Sequence, residues 1–459
     1  MIPFVLSADL QAALAKRTAS RDEETRRGVA ETIEDVRQRG DAALLDSARR
    51  FDSPALASIR VTEEEISAAS VSAEVEAALK EALWRIATFH TSQLTAITDG
   101  WKGDDSDEAL WDFQQKTDRK PLEWYWNRAA VGTGPLFRKA GFYEGSIGQK
   151  MLALGRAGIY VPGGNAAYPS SVLMNALPGR LVGTEIAMTS PTREDGTWHP
   201  AVLVAMRLAG ISEGFKVGGA AAIAALALGT ESISRVDKIV GPGNRWVNEA
   251  KRQLWGTVGL DGYAGPSEVC VVADDQANAA FAAADLLTQI EHAPDNCAFL
   301  VTLSEGKRNE IVSAIEQQLA GAPRAETMRQ ALAENSFAVI AQDRTEALDI
   351  VNQIAPEHLS LVVGDPEAWS SGVKNAGCIL IGEHTPESAG DYVAGPSHTL
   401  PTAGAARWQS PVSVQEFLKL QSVIRLSAND LKVLAPSIVA LAEAEGFPAH
   451  GAGASLRGV

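Results

Sequence analysis

The chain has 459 residues, and 41 Lys+Arg against 57 Asp+Glu give a formal charge of −16 at pH 7. That balance argues against a general nucleic-acid binder, which needs a basic face to displace counterions from phosphate. With 46% hydrophobic and 21% charged residues, neither wholesale disorder nor a membrane-embedded chain is indicated.

The length suits two to four domains of ordinary size. The start, MIPFVLSADLQ, has no basic n-region and no small-residue cleavage site, so no secretory signal is read and the cytoplasm is the expected location. No apolar run approaches the ~20 residues of a membrane span. Cys270, Cys297 and Cys378 are too scattered for a disulfide framework or a metal knuckle; Cys270 in EVCVVA and Cys378 in GCILIG are read as buried structural thiols rather than nucleophiles.

From Asp22 to about Gln93, Val29, Ile33 and Val36, then Val75, Leu79, Leu83 and Ile86, recur at helical spacing between charged positions. This predicts an N-terminal helical region over 1–99. Residues 100–142 form an excursion that carries Trp101, Trp111, Trp124 and Trp126 among seven acidic and seven basic side chains. It reads as a packed insertion, with a lid or partner surface as the other reading. After about Leu154 the pattern changes to short apolar runs, AGIYVPGG, EIAMTS, GFKVGG, KIVGPG, EVCVVAD, AFLVTL and FAVIAQ, separated by Ala-rich helical stretches. Such alternation predicts α/β layers on mostly parallel sheets, over 143–265 and 266–400, with ligand sites beyond the carboxyl ends of the strands. Residues 401–459 end in a predicted helix pair, ANDLKVLAPSIVALAEAEGF, and a tail of small residues.

Several polar positions invite chemistry, each with an ordinary structural account beside it. Gln289 and His292 are three apart on an apparent helix and could share an ion, or simply cap its last turn. Asp391 fits a turn or an N-cap. Glu357 and His358, adjacent in APEHLSL, can act as two acid–base groups with separated pKa values, or be a helix-entry Glu beside a surface His. Ser267 in AGPSE and Asn244 in VGPGN lie on Gly/Pro turns that could approach a ligand. No GxGxxG follows a strand, so the standard dinucleotide fingerprint is missing.

Taken in order, GIYVPGGNAAYPSSVLMNALP, GTESISRVDKIVGPGNRWVNEAKR, AGPSEVCVVAD, DLLTQIEH, NQIAPEHLSL, TPESAGDYVAGPSHTLPT and AEAEGFPAH resemble the histidinol dehydrogenase family. The likeness runs from about residue 20 to the C-terminus, includes FHTSQ at 89–93, and breaks over 100–142. It implies two incomplete Rossmann-like α/β domains in an intertwined homodimer, whose C-terminal helical tail enters the partner's active site. It implies Zn²⁺ held by Gln289, His292, Asp391 and His450, catalytic Glu357 and His358, and cofactor contacts by Tyr160 and Asn244. Substrate contacts are implied for Ser267, His358, His398 and Glu445 besides the four metal ligands. The implied reaction is the oxidation of L-histidinol to L-histidine by two NAD⁺ in turn, with no nucleic-acid or membrane partner. This chain has Ala221 where the family usually has Gln at a cofactor position, which removes a hydrogen bond of ~0.5–1.5 kcal/mol. Arg245 and Trp246 are bulkier than usual. Two other readings stand beside the first: a same-family dehydrogenase of another polar primary alcohol, such as a sulfonated diol, and a non-catalytic binding protein using the Trp-rich excursion.

Overall fold

The computed structural model describes residues 2–15, 23–100, 135–136, 146–163, 166–262 and 265–457. The four tryptophans of the expected insertion lie outside the described residues. The chain opens with helices α1 (Leu10–Ala15), α2 (Glu23–Arg39), α3 (Asp41–Phe51), α4 (Glu63–Ala68) and α5 (Ala73–Gly100). In α2, Val29, Ile33 and Val36 are buried as their spacing predicts, while Glu23 and Glu24 in the first turn and Arg37 and Arg39 in the last oppose the helix dipole. Thr62 and Glu65 close a reciprocal capping box at the head of α4.

Two strands follow, β1 (Pro135–Leu136) and β2 (Ser146–Ala153), and then the first α/β unit. It comprises β3 (Arg156–Tyr160), α6 (Pro169–Leu181), β4 (Glu185–Ser190), α7 (Pro200–Leu208), β5 (Glu213–Lys216), α8 (Gly219–Leu228), β6 (Lys238–Val240), α9 (Arg245–Leu254) and β7 (Gly259–Leu260). Its strands are all parallel, in the order β5-β4-β3-β6-β7. Alternate side chains of β3 and β4 enter two different cores, Ile159 and Met188 on one face and Tyr160 and Ala187 on the other, because a strand has a period of two. The helices from 23 to 100 supply those cores: Leu79, Leu83 and Ile86 of α5 cover one face, and Val29 and Ile33 of α2 the other. The predicted helical region therefore shares its cores with the sheet and has none of its own.

The second unit repeats the plan with β8 (Glu268–Ala273), α10 (Ala279–Ile290), β9 (Cys297–Thr302), α11 (Glu305–Leu319), α12 (Ala325–Glu334), β10 (Phe337–Ile340), α13 (Arg344–Ile354), β11 (His358–Val362), α14 (Pro366–Ser370), β12 (Cys378–Ile381) and α15 (Glu387–Tyr392). Its parallel order is β10-β9-β8-β11-β12. Residues 2–15 belong here: the Val5 amide donates to the Ala338 carbonyl at 2.9 Å, and Leu10 is buried in this unit's core. Cys270 is buried in β8, as expected of a structural thiol, whereas Cys378 in β12 is only partly buried; Cys297 is buried in β9. A return strand, β13 (Leu418–Arg425), pairs antiparallel with β2, Leu418 opposite Ala153 and Arg425 opposite Ser146. The chain ends in α16 (Ala428–Ala444), which runs through Pro436, and α17 (Pro448–Ser455), a helix where the sequence suggested only a tail. Among the described residues, no helix is long and apolar enough to cross a membrane.

Both sheets reverse strand order at their first strand, between β3 and β6 and between β8 and β11. They face a shared cleft of about 2080 Å³ with opposite ends. The first sheet presents the turns that leave β3 and β6, Pro162 and Pro242-Gly243-Asn244, as the carboxyl-end expectation requires. The second presents the heads of its strands, Ser267-Glu268 at β8 and Glu357-His358 at β11. There the expectation fails, because the chemistry-bearing residues precede or begin their strands.

A buried ion pair holds the turn after β6. Lys251, 1% exposed on α9, donates to the Gly241 carbonyl at 2.6 Å and to Asp261 at 2.8 Å, while the other Asp261 oxygen accepts the Gly241 amide at 2.7 Å. Gly241 has φ +116°, and a Cβ there would lie 2.2 Å from the Tyr160 carbonyl, so only glycine fits. Lys251→Met strands the Asp261 charge and should lower the unfolding free energy by ~3–5 kcal/mol in a urea titration. A loss below ~1 kcal/mol would mean that the pair does not secure this turn.

Candidate functional site

The second unit gathers the site from three elements. On β11, Glu357 and His358 begin a strand rather than a helix, with His358 opposite Val269 of β8 and Cys378 of β12. On α10, Asp285 and Gln289 are one turn apart and both buried. On α15, Glu387 and Asp391 have the same spacing. Gln289 Nε2 lies 3.4 Å from Asp391 Oδ2. His292 lies beyond the C-cap Glu291, so it does not share a helical face with Gln289 as the sequence suggested, yet the turn returns it to the cleft beside Gln289 and Asp391.

His358 is the centre of this arrangement. Its Nε2 is 3.4 Å from Asp391 Oδ1, and its Nδ1 is 3.6 Å from Glu387 Oε1 and 3.4 Å from the Glu268 carbonyl. Burial opposes the charged imidazole, but Glu387, Asp391 and Glu357 outweigh it and hold its pKa well above the ordinary value. Asp391 moves the other way: burial raises it, and the His358 contact more than compensates, leaving it below the carboxylate range. Glu357 accepts the Glu268 amide at 2.8 Å and is pushed up to about 8, chiefly by burial.

His398 joins the two units. Its Nδ1 sits 2.9 Å from the Asp391 carbonyl, which makes it the protonated nitrogen, and its Nε2 takes the Ser171 hydroxyl of α6 at 3.0 Å. Burial lowers its pKa. Both ring nitrogens thus have protein partners, and a substrate contact needs Ser171 to give way. Ser267 lines the cleft, with its amide held by Asn296 Oδ1 at 3.2 Å.

The first unit contributes Asn244, whose side chain caps α9 by accepting the amides of Trp246 and Val247 at 3.0 and 3.2 Å. Tyr160 is buried at the end of β3, its hydroxyl accepts the Gly219 amide at 3.3 Å, and burial pushes its pKa up to about 12. Ala221 is buried within α8 among other alanines and is not part of the cleft lining. Glu445 and His450 are exposed at the α16–α17 corner and do not line their own chain's cleft. The His450 ring stacks near Phe447, with centroids 5.4 Å apart.

An amide oxygen, an imidazole and a carboxylate from Gln289, His292 and Asp391 make a donor set that suits a divalent cation, within a cage of buried carboxylates that needs positive charge. Among the described residues there is no cluster of three His, Cys, Asp or Glu groups poised for a metal. Sequence reasoning missed Glu387 and Asp285, although their spacing of four from Asp391 and Gln289 was a readable signal.

Comparison with known proteins decides the family. The sequence profile for histidinol dehydrogenase matches residues 15–116 and 138–458. The chain belongs to the histidinol dehydrogenase family. It is 42% identical over 452 residues to the histidinol dehydrogenase of Geobacter sulfurreducens, covering 97% of this chain and 96% of that protein. It is also 42% identical over 430 residues to that of Rhizobium meliloti, covering 93% and 90%. The crystal structure of the histidinol dehydrogenase from Elizabethkingia anophelis superposes with a TM-score of 0.85 at 32% identity, covering 99% of this chain and 98% of that one. The stretch unmatched by the family profile, 117–137, is narrower than the 100–142 excursion.

The raised Glu357 gives a signed pH prediction. Between the ordinary 4.5 and about 8 the folded chain keeps a proton that the unfolded chain has lost, so this group costs stability as pH rises through that window. Glu357→Gln removes the cost. In chelator-treated protein, its stability relative to wild type should climb from about pH 5 to about pH 8 and then level off, as read by denaturant titration. Parallel stability profiles would contradict the burial assigned to Glu357.

Proposed function

We propose that this chain oxidises L-histidinol through L-histidinal to L-histidine with two NAD⁺ in turn, ending histidine biosynthesis. The observation that carries the reading is the Glu357–His358 pair at the head of β11, on one wall of the cleft with Gln289, His292 and Asp391, opposite the turns of the first sheet. The chain is an oxidoreductase of an NAD-dependent family, and the likeness over nearly its whole length favours histidinol over other polar alcohols.

In its neutral form, which a cation bound at Asp391 would favour by offsetting that carboxylate, His358 takes the hydroxyl proton at Nε2 while hydride leaves the alcohol carbon. Glu357, poised near neutrality, then takes a proton from the water that adds to the aldehyde carbon, and His358 acts again as the hydrated aldehyde gives up the second hydride. The balance is one alcohol, one water and two NAD⁺ giving one carboxylate, two NADH and three protons. NAD⁺ supplies the hydride-accepting chemistry when bound, and Asn244 in the turn after β6 and Tyr160, the buried last residue of β3, are its proposed contacts. Gln289, His292 and Asp391, with His450 of the partner subunit, would hold Zn²⁺, which fixes and polarises the substrate when present. Ser267, His398 and Glu445 complete the proposed substrate contacts.

Two incomplete Rossmann-like units in an intertwined homodimer belong to the same proposal. What supports the units is the strand order, which follows five of the six strands of a dinucleotide-binding sheet. What supports the dimer is the end of the chain, where Val433, Leu441, Phe447 and Leu456 are exposed beside Glu445 and His450. A cytoplasmic location goes with such a biosynthetic role.

L-Histidinol and NAD⁺ should yield two NADH per product, and a chelator should remove the activity. A two-electron stoichiometry would overturn the reaction, and turnover unaffected by chelation would overturn the metal. His358→Asn should cut both oxidations by ~10²–10⁴-fold, whereas Glu357→Gln should mainly slow the second and let the aldehyde be trapped. Equal losses in both steps for Glu357→Gln would remove the division of labour. Mixing His358→Asn subunits with His450→Asn subunits should restore activity through hybrid dimers that hold one intact site. No recovery after subunit exchange would contradict a shared site.

A further inference from the structure

Glu387 is fully buried, and among the described residues no donor meets either carboxyl oxygen at normal geometry, the Gln289 side chain being a weaker neighbour. Such a group is costly to bury and is retained where it faces something specific. It faces the ring of His358: Oε1 lies 3.6 Å from Nδ1, on the side of the imidazole opposite the Asp391 contact at Nε2. The Glu268 carbonyl, 3.4 Å from the same Nδ1, strengthens that side as the acceptor side.

The supports behind Glu387 are as ordered as the contact itself. Its backbone amide donates to Asp285 Oδ1 at 3.4 Å, and Asp285 Oδ2 accepts the Ser360 hydroxyl at 2.5 Å. Ser360 is two residues after His358 on β11, so the two side chains project from the same face of the strand. Asp285 therefore ties α15, which carries Glu387, to the strand that carries the imidazole.

We infer that Glu387 is a positioning residue for His358: its carboxyl group accepts the Nδ1 proton, fixing the ring's tautomer and rotation so that Nε2 is the nitrogen offered to the reacting hydroxyl. The inference rests on the reading of His358 as the proton acceptor and extends it to a residue that touches neither substrate nor cofactor. A second-layer carboxylate that sets imidazole tautomer has a known effect on rate without direct contact with the reacting atoms.

The test is Glu387→Gln, which keeps shape and burial, alongside Glu387→Asp, which keeps the acid but withdraws it by one methylene. For Glu387→Gln, kcat for both L-histidinol and L-histidinal should fall by ~10²-fold or more, with both KM values within about threefold of wild type and bound zinc unchanged by elemental analysis. Glu387→Asp should recover part of kcat. Independently of any substrate, nitrogen NMR of labelled imidazoles in chelator-treated protein, followed to a pH at which the His358 ring has lost its charge and with the His358 signal assigned by its loss in His358→Asn, should show the Nδ1–H tautomer in wild type. The Glu387→Gln protein should show a mixture or the Nε2–H form.

An unchanged kcat and tautomer in Glu387→Gln would overturn the inference. So would a kcat loss that tracks lost zinc and is restored by added zinc. If Glu387→Gln does not fold, Glu387→Asp decides: a kcat loss at constant KM upholds the role and a wild-type kcat refutes it. Should the wild-type protein not oxidise L-histidinol, the functional reading fails while the tautomer measurement still judges Glu387.

Discussion

Everything at the centre of this molecule depends on one imidazole held between two carboxyl groups. Glu387 and Asp391, a helical turn apart on α15, sit on opposite sides of the His358 ring, and the pair Asp285 and Gln289 on α10 backs them. Burying several acids together is unfavourable by several kcal/mol per charge unless positive charge joins them. The fold supplies one such charge through His358, and the leftover negative character explains why the same pocket suits a cation and a cationic substrate. Removing the imidazole would affect packing as well as chemistry, because β11, β8 and α15 meet through it.

That centre is placed by the outer architecture. Two parallel sheets of like strand order meet the cleft from opposite directions, the first with the turns that follow its strands and the second with the heads of its strands. The first wall is set by backbone, through Gly241 clamped between Lys251 and Asp261 and through Asn244 capping α9. The second wall is set by side chains. His398 connects the two, reaching Ser171 on one side and the Asp391 carbonyl on the other.

Much of the scaffold was legible in the sequence. The apolar runs AGIY, EIAMTS, EVCVVA and AFLVTL became β3, β4, β8 and β9, because short runs flanked by turn residues suit strands covered on both faces. The head of β11 was misread because Glu357 and His358 are polar, and polar residues at a strand head resemble a helix entry. Gln289 and His292 seemed to share a helix, but α10 ends at Ile290, a boundary that spacing alone does not reveal. The site itself was legible only through resemblance. Its members are spread over about a hundred residues, from Asp285 to Asp391, and no local pattern states that α10, β11 and α15 converge. Ala221 illustrates the opposite limit: resemblance placed it at a cofactor position, while the structure buries it in α8 among alanines.

The opposed edges of the two sheets also give the cleft an electrical direction. Where strands end at the cleft, the following helices begin there, so α6 and α9 aim their amino ends at it, with Ser170 and Asn244 on the lining. Where strands begin at the cleft, the helices antiparallel to them finish there: α10 and α12, which precede β9 and β10, and α15, which follows β12, bring Gln289, Glu334 and Asp391 to the lining near their carboxyl ends. Helix amino ends carry partial positive charge and carboxyl ends partial negative charge. The space between is therefore a sorted one. Under the proposed reaction, this sorting would draw an anionic pyrophosphate to one wall and an ammonium or imidazolium to the other, so that a spent dinucleotide could leave for a fresh one while the opposite wall still held the cationic molecule being oxidised.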